Sequence, residues 1–524
     1  MLCSHGRQAV RFVHSDARHR TIAVLGGGIS GVASALELSR KLPAAHIVLV
    51  EGDNRLGGYI GSHRESVGTH SPLFERGPRS IRPVGYKGLR TLELLDSVGL
   101  TPRLLTVSKS SPSAKNRFIY YGGQLNQLPS SLFGAIKACV KLPLLRTLFP
   151  RILKEPWVPK KADADESVHD FMARRLGPAA ATNLASAMMH GIYAGDSREL
   201  SVKSVLPSLV ELEQKFGALG RVFWPKWINS RYTHREEKKD TRKVNLDDSI
   251  IKMAKQTSIY SFPNGLGEMV SAIEAELIAS PNVSIWKGTP CKRISYENNK
   301  FVMSFDGTAT LYADRLVSAI PSARLAELLP DLPHLGHNPS AHVGVVDIVL
   351  SQPDGSAKLP IEGFGYLVPR AESNPDEILG VVLDSSAIPN QGSTKFVKLT
   401  AMIGGPFWRA RTTLPTQSEL EARALRALEK QLGVPKTQLD SQVSLVRARV
   451  LKNTIPQYLV GHVDRMLELR EVVNARYPGL TLVGSSYNGV GVNDCIAGAL
   501  DVCVEIARAE TSQPNGGTTG LEDI

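Results

Sequence analysis

Apolar positions near the start of the chain form two short runs, Thr21–Leu25 (TIAVL) and residues 46–51 (HIVLVE), on either side of a stretch with helical periodicity. Each run is too short for a helix and reads as a buried parallel strand. Residues 26–31 (GGGISG) join the first run to the helical stretch without a spacer, the pattern continues to Lys41, and Pro43 marks its end. The same order of strand, glycine-containing turn and helix returns in residues 480–507 (LTLVGSSYNGVGVNDCIAGALDVCVEIA), where Asn493 or Asp494 can cap the helix, Asn493 being the preferred cap. Residues 128–161 are apolar but studded with Lys137, Lys141, Arg146, Arg151 and Lys154, with no acid before Glu155. Such a pattern suits a segment lying in anionic headgroups, and equally a helical cap packed on its own protein. Residues 226–255 hold nine basic and five acidic side chains with few large apolar ones, and read as a solvated loop or insertion.

The first of these patterns is a βαβ unit with Gly26, Gly28 and Gly31 in the GxGxxG positions and Glu51 twenty residues beyond the last glycine. Strand, helix, second strand and terminal acid all stand where a dinucleotide site needs them. Gly26 permits the tight turn, Gly28 lets the backbone approach a diphosphate, and Gly31 lets helix and strand pack closely. The helix N-terminus offers free amides and a positive dipole, and Glu51 can accept hydrogen bonds from a ribose diol.

At 524 residues the chain is long enough for two to four domains. Its five cysteines form no CxxC and no zinc spacing, so they are read as reduced or buried thiols. No run of about 18 uncharged apolar residues occurs, so a spanning helix is not expected. The formal charge of +12 is compatible with an anionic ligand, an anionic membrane or nucleic acid, but no nucleic-acid motif accompanies it. The first twenty residues carry four arginines and one acid, Asp16, as mitochondrial transit peptides do.

The continuation after Glu51, GDNRLGGYIGS and then FERGPRSIRP, lacks the regular crossover of a nicotinamide dehydrogenase and resembles the second motif of FAD-binding flavoproteins. With AVLGGGISG, LVEGDNRLGGYI, ERGPRSIRP, NRFIYYGGQLNQLP, ESVHDFMARRLGP, GIYAGDSRELSVKSVLPSL, GFGYLVP, IPQYLVGH and GSSYNGVGVNDCI in one order, the sequence resembles the mitochondrial protoporphyrinogen oxidases of the FAD-dependent amine oxidase and phytoene desaturase superfamily. The likeness runs from about Thr21 to Ala507, and residues 226–255 look longer and more charged than the usual connection there.

The resemblance implies an α/β fold: a discontinuous Rossmann-like FAD domain (residues 21–105, 258–325 and 446–510), an α+β substrate domain (106–128, 200–257 and 326–445) and a helical membrane-associating domain (129–199). A leader at 1–20 and a flexible tail at 511–524 complete this division. It implies a six-electron oxidation of protoporphyrinogen IX to protoporphyrin IX, non-covalent FAD as acceptor, and molecular oxygen as the final oxidant, giving hydrogen peroxide. Partners would be an anionic membrane surface, a second copy of the chain and ferrochelatase, at the mitochondrial inner membrane facing the intermembrane space, with monotopic or peripheral attachment.

Carried over by matching motif, the cofactor would meet Gly26, Gly27, Gly28, Ile29, Ser30, Gly31 and Glu51. Arg55, Gly58 and Tyr59, then Gly77, Pro78, Arg79 and Ser80, would follow along it, with Cys291 at the adenine and Gly484, Ser485, Val490, Gly491 and Val492 at the flavin. Arg117 would anchor a propionate, and Phe364, Gly365, Leu367, Val382, Met402 and Ile455 would line an aliphatic slot. The same side chains suit other roles: Arg117 an ordinary surface charge, the apolar ones plain core. Asp196 reads as a turn residue, Cys495 as a buried thiol, and no catalytic base stands out. The alternatives are another FAD-dependent amine oxidase or polyene desaturase of this fold, and a Rab-escort-like binder that uses no FAD.

Overall fold

The computed structural model describes residues 20–129, 143–219, 244–512 and 518–524, apart from 69, 162–163, 308, 352–358, 392–394 and 523. Residues 1–19 of the basic leader, 130–142 of the apolar and basic stretch, and 226–243 of the charged stretch lie outside the described residues.

The first sheet has five parallel strands in the order Leu480–Leu482, Arg315–Ser318, Thr21–Leu25, His46–Val50, Val283–Trp286. Its strands read as continuous apolar runs because both faces are covered. Ile22 and Val24 point toward the helices Ile29–Lys41, Gly267–Ala279 and Val492–Ser512, while Ala23 and Leu25 face a three-stranded antiparallel sheet, Arg293–Glu297, Lys300–Ser304 and Thr310–Ala313. The strands from the two ends of the chain are thus separated only by Arg315–Ser318, and both motifs found in the sequence open at one edge of this sheet.

The second sheet has seven strands in the order Val443–Pro456, Ser340–Ser351, Phe396–Gly404, Ile378–Val382, Gly365–Leu367, Arg117–Tyr121, Gln124–Gln127. One face, with Tyr366, Val381, Ala401, Val346 and Leu399, is closed by the helix Gln417–Lys430. That helix starts with a capping box in which the Thr416 amide donates to Glu419 at 2.7 Å and the Thr416 hydroxyl accepts from the Glu419 amide. The expected return to the cofactor domain at 446 falls inside the strand Val443–Pro456, which belongs wholly to this second sheet.

The helices Pro143–Lys154, Val168–Leu176 and Ser186–Tyr193 form a third layer, with a π turn at Ala180–Ala185. Residues assigned from sequence to the substrate domain after 200 join this layer instead. The helices Val202–Val205 and Pro207–Phe216 pack against Phe171, and Arg175, fully buried, ties Glu213 (Nε–Oε1 3.0 Å) to Glu155 (3.0 Å) and to the carbonyls of Val158 and Gly217. Among the described residues no helix is long and apolar enough to cross a membrane.

Candidate active site

The glycine turn is built as its spacing requires. Gly26 takes φ +105°, and a Cβ on Gly31 would lie 1.8 Å from the Gly26 carbonyl oxygen, so helix and strand can approach only without a side chain there. A Cβ on Gly27 would strike Leu56, whereas Gly28 faces open space with nothing within 4 Å. Gly28 also precedes the helix Ile29–Lys41 without a side-chain cap, leaving the amides of Ile29, Ser30 and Gly31 directed at that space. Glu51 is held at the strand end by the amides of Gly27 (2.6 Å) and Asp53 (2.7 Å). The Glu51 carbonyl accepts from the Thr289 amide at 2.9 Å, which holds the segment leading to Cys291 against the end of this strand. Cys291 itself is buried, burial pushes its thiol up to about 11, and its carbonyl accepts from Arg324 at 3.0 Å.

The second motif departs from a simple cofactor lining. Arg55 spends its guanidinium on its own loop, donating to the carbonyls of Leu56 (3.1 Å), Ile60 (3.0 Å) and Gly58. Tyr59 donates to the Asn453 carbonyl at 2.8 Å and so ties this loop to the second sheet. Gly77 is required because a Cβ would meet the Tyr59 carbonyl oxygen at 2.6 Å. Arg79, after Pro78 and before Ser80, is 8% exposed; its Nε lies 3.2 Å from Asp384, while Nη1 and Nη2 have no hydrogen-bond partner. Buried guanidinium donors without partners are costly, and an anionic or carbonyl-bearing ligand would satisfy them. The open space over Gly28, the uncapped helix and the orphaned Arg79 donors together fit a dinucleotide cofactor carrying a diphosphate.

The C-terminal motif approaches the same turn: Gly484, at φ +110°, lies with its Cβ direction 3.6 Å from Ser30 Oγ. The loop 484–491 then leads into the helix Val492–Ser512. Asn493 does not cap this helix. Its side chain donates to the Arg82 carbonyl at 2.8 Å, and Asp494 instead accepts from the Gly491 amide at 3.1 Å and pairs with Lys87 at 2.8 Å. Ser485 offers its carbonyl to Tyr458, and Val490 packs with Tyr193 and Tyr458. Cys495 is buried, which pushes its thiol up to about 12.

Pairing in the second sheet places most of the sequence-selected substrate residues on one face. Arg117, Gly365, Val382, Thr400 and Asp347 lie in one row across five strands, and Leu367, Gly380, Met402 and Val345 in the next. Directly paired residues share a face. Phe364, Leu367, Val382, Met402 and Ile455 are half-buried there, while Tyr366, Val381 and Ala401 on the opposite face are fully buried. Phe364 and Val382 pack together beside Ile388; Met402 and Ile455 share a cluster with Phe407 farther along. Gly365 is a backbone requirement more than a wall, since a Cβ there would sit 2.1 Å from the Val381 carbonyl oxygen. The Arg117 guanidinium lies 6.0 Å from the Phe364 ring, and among the described residues it has no acidic partner. Surrounding protein and the like charge of Arg82 lower its pKa.

Asp196 is the turn residue its sequence suggests, accepting from the Arg198 amide at 2.8 Å, and it also pairs with Arg370. Sequence reasoning missed a charged chain buried on this same face. Thr400 Oγ1 stands 2.8 Å from Asp347 and 2.7 Å from Asp384, Arg449 pairs with Asp347 at 2.8 Å, and Asp384 leads to Arg79. These residues come from distant segments with no local motif.

Residues 29–507 match the family described as flavin containing amine oxidoreductase. The chain belongs to this family. Among its relatives, a protoporphyrinogen oxidase of Bos taurus is 37% identical across 95% of this chain and 99% of its own. A solved structure from Exiguobacterium sp. 255-15, provisionally named a protoporphyrinogen oxidase, is 26% identical with a TM-score of 0.72, covering 93% of this chain and 98% of that one. A cyclohexylamine oxidase from Brevibacterium oxydans IH-35A shares the fold, at 15% identity and a TM-score of 0.61, over 94% of this chain and all of that one. The cofactor of this chain is accordingly FAD.

Proposed function

We propose that this flavoprotein oxidises protoporphyrinogen IX to protoporphyrin IX in porphyrin synthesis. The observation that carries this reading is 37% identity with a protoporphyrinogen oxidase over nearly the whole of both chains. Bound FAD supplies the two-electron acceptor. The amides at the start of Ile29–Lys41 and the space over Gly28 hold its diphosphate, Glu51 its ribose, and Arg79 offers free donors farther along. The half-buried face of Leu367, Val382, Met402 and Ile455 would give an aliphatic wall suited to a tetrapyrrole and to keeping water from the reacting carbon. Arg117, without an acidic partner among the described residues, is the anchor for a propionate. Overall, the porphyrinogen gives up six hydrogens and three molecules of oxygen become three of hydrogen peroxide.

Attachment to a mitochondrial membrane belongs to the same proposal. Trp157 and Leu153, 78% and 58% exposed, stand beside Arg151, Lys154, Lys160 and Lys161, an apolar tip with a basic rim. The arginine-rich leader supports the compartment.

Purified protein mixed anaerobically with protoporphyrinogen IX should lose its visible flavin bands. Flavin that stays oxidised would overturn the substrate, as an amine or polyene oxidase would show, and protein that binds no FAD would overturn the whole reading. The same preparation should sediment with cardiolipin-containing vesicles, and Trp157→Ser with Leu153→Ser should abolish this; unchanged sedimentation refutes the membrane tip.

A further inference from the structure

Two motifs singled out in the sequence, GIYAGD and IPQYLVGH, take no direct part in the chemistry above, apart from Ile455. They meet the C-terminal flavin loop at one point. Gln457 donates to the carbonyls of Tyr193 (2.9 Å) and Ile455 (2.8 Å), and its amide occupies the space beside Gly195, where a Cβ would lie 2.1 Å from Oε1. Tyr458, 1% exposed, donates its hydroxyl to the Ser485 carbonyl at 2.5 Å and accepts from the Gly489 amide at 2.9 Å. Its ring stacks on His462 at 4.2 Å and 4°, and meets Tyr193 edge-on at 6.1 Å.

His462 completes the grip. Nε2 faces the Tyr487 carbonyl at 2.8 Å, so this nitrogen carries the proton, and Nδ1 accepts from the Asn338 amide at 2.8 Å. The ring is therefore satisfied as a neutral imidazole, in keeping with the burial that lowers its pKa to about 4. The two side chains take hold of backbone groups at 485, 487 and 489 in turn. Gly484 and Gly489 have φ of +110° and +105° and would leave the loop free to adopt other shapes if it were not held from outside. Val490 from the loop and Ile455 from the substrate face pack in the same apolar cluster with Tyr193 and Tyr458.

We propose that Tyr458 and His462 are positioning residues, holding the loop 484–491 in the shape that receives the flavin and fixing it relative to the substrate face through Gln457 and Ile455. The proposal rests on the FAD reading of the site, and not on which substrate is oxidised. Its test is the affinity of the apoprotein for FAD. Tyr458→Phe removes one oxygen and leaves Ser485 and Gly489 without partners, so the FAD dissociation constant should rise about tenfold, and anaerobic flavin reduction should slow by a similar factor with KM little changed.

Tyr366→Phe is the comparison: an equally buried tyrosine whose hydroxyl meets Gln431 at 3.1 Å in the core on the closed face. It should leave FAD affinity unchanged. The proposal is overturned if Tyr458→Phe changes FAD affinity by less than about twofold, or if Tyr366→Phe changes it as much. Should Tyr458→Phe fail to fold, His462→Leu, which removes the donor to the Tyr487 carbonyl, decides by the same criteria. Failure of protoporphyrinogen IX to bleach the flavin would leave the FAD-affinity readout standing, so the two proposals fail separately.

Discussion

Arg117 shows how one residue can be free for a ligand. Its strand neighbours Gly365, Val382 and Thr400 offer no acid in the adjacent positions, and Asp347, four strands away in the same row, is taken by Arg449 and Thr400. Arg117→Ala should raise KM for a dicarboxylate porphyrinogen roughly tenfold to a hundredfold, the effect of losing a charged hydrogen bond, with FAD content unchanged. Parallel loss of FAD in the purified variant would mark it as structural. His462 gives a pH dependence. Its pKa falls from an ordinary 6.5 to about 4, so the unfolded chain binds the proton more tightly. Stability is full above pH 6.5 and declines as pH falls toward 4, by about 3 kcal/mol in all. Denaturant melts between pH 7 and 4 should show that slope, and His462→Gln should flatten it. The glycines and Glu51 were legible in sequence because spacing alone dictates their roles. Tyr458, His462 and Asp384 were not, since their partners lie far along the chain and no local pattern distinguishes them from core or surface residues.

Among the elements, the turn between the first strand and its helix separates folding from binding in two adjacent glycines. Gly28→Ala meets nothing within 4 Å and keeps an ordinary backbone at φ −67°, so the apoprotein should melt as the parent does while FAD binding drops at least tenfold. Gly31→Ala, 1.8 Å from the Gly26 carbonyl oxygen, should lower the melting temperature with or without FAD. Equal melting loss in both variants would refute the assignment of the space over Gly28 to a ligand. The βαβ unit and the closing strand and helix were legible because strand runs and helical period are local signals. The strand Val443–Pro456 was divided wrongly because Arg447, Arg449 and Lys452 interrupt its apolar pattern. The two arginines have partners elsewhere, Arg447 at Glu65 and Arg449 at Asp347 and the Glu75 carbonyl, so they look like a loop in sequence and are an interface in the fold. The cap at 493 failed for a related reason: Asn493 and Asp494 are both good caps, and only the neighbouring Arg82 carbonyl and Lys87 decide between them.

Across the whole molecule, positive charge is distributed by purpose. Arg175 is buried and neutralised between Glu155 and Glu213, Arg79 is buried with two nitrogens free, and Arg117 stands at the edge of the open face. The excess of +12 therefore says little until each cation is placed. The order of strands in the five-stranded sheet has a consequence in time. Leu480–Leu482 adds to Arg315–Ser318, which adds to Thr21–Leu25, and the loop at 484–491 is held by a segment at 455–462. A ribosome that has made four-fifths of the chain has produced the glycine turn but neither the loop 484–491 nor the segment that holds it. Cofactor capture must then wait for the finished polypeptide, and the earlier strands spend synthesis with an unpaired edge.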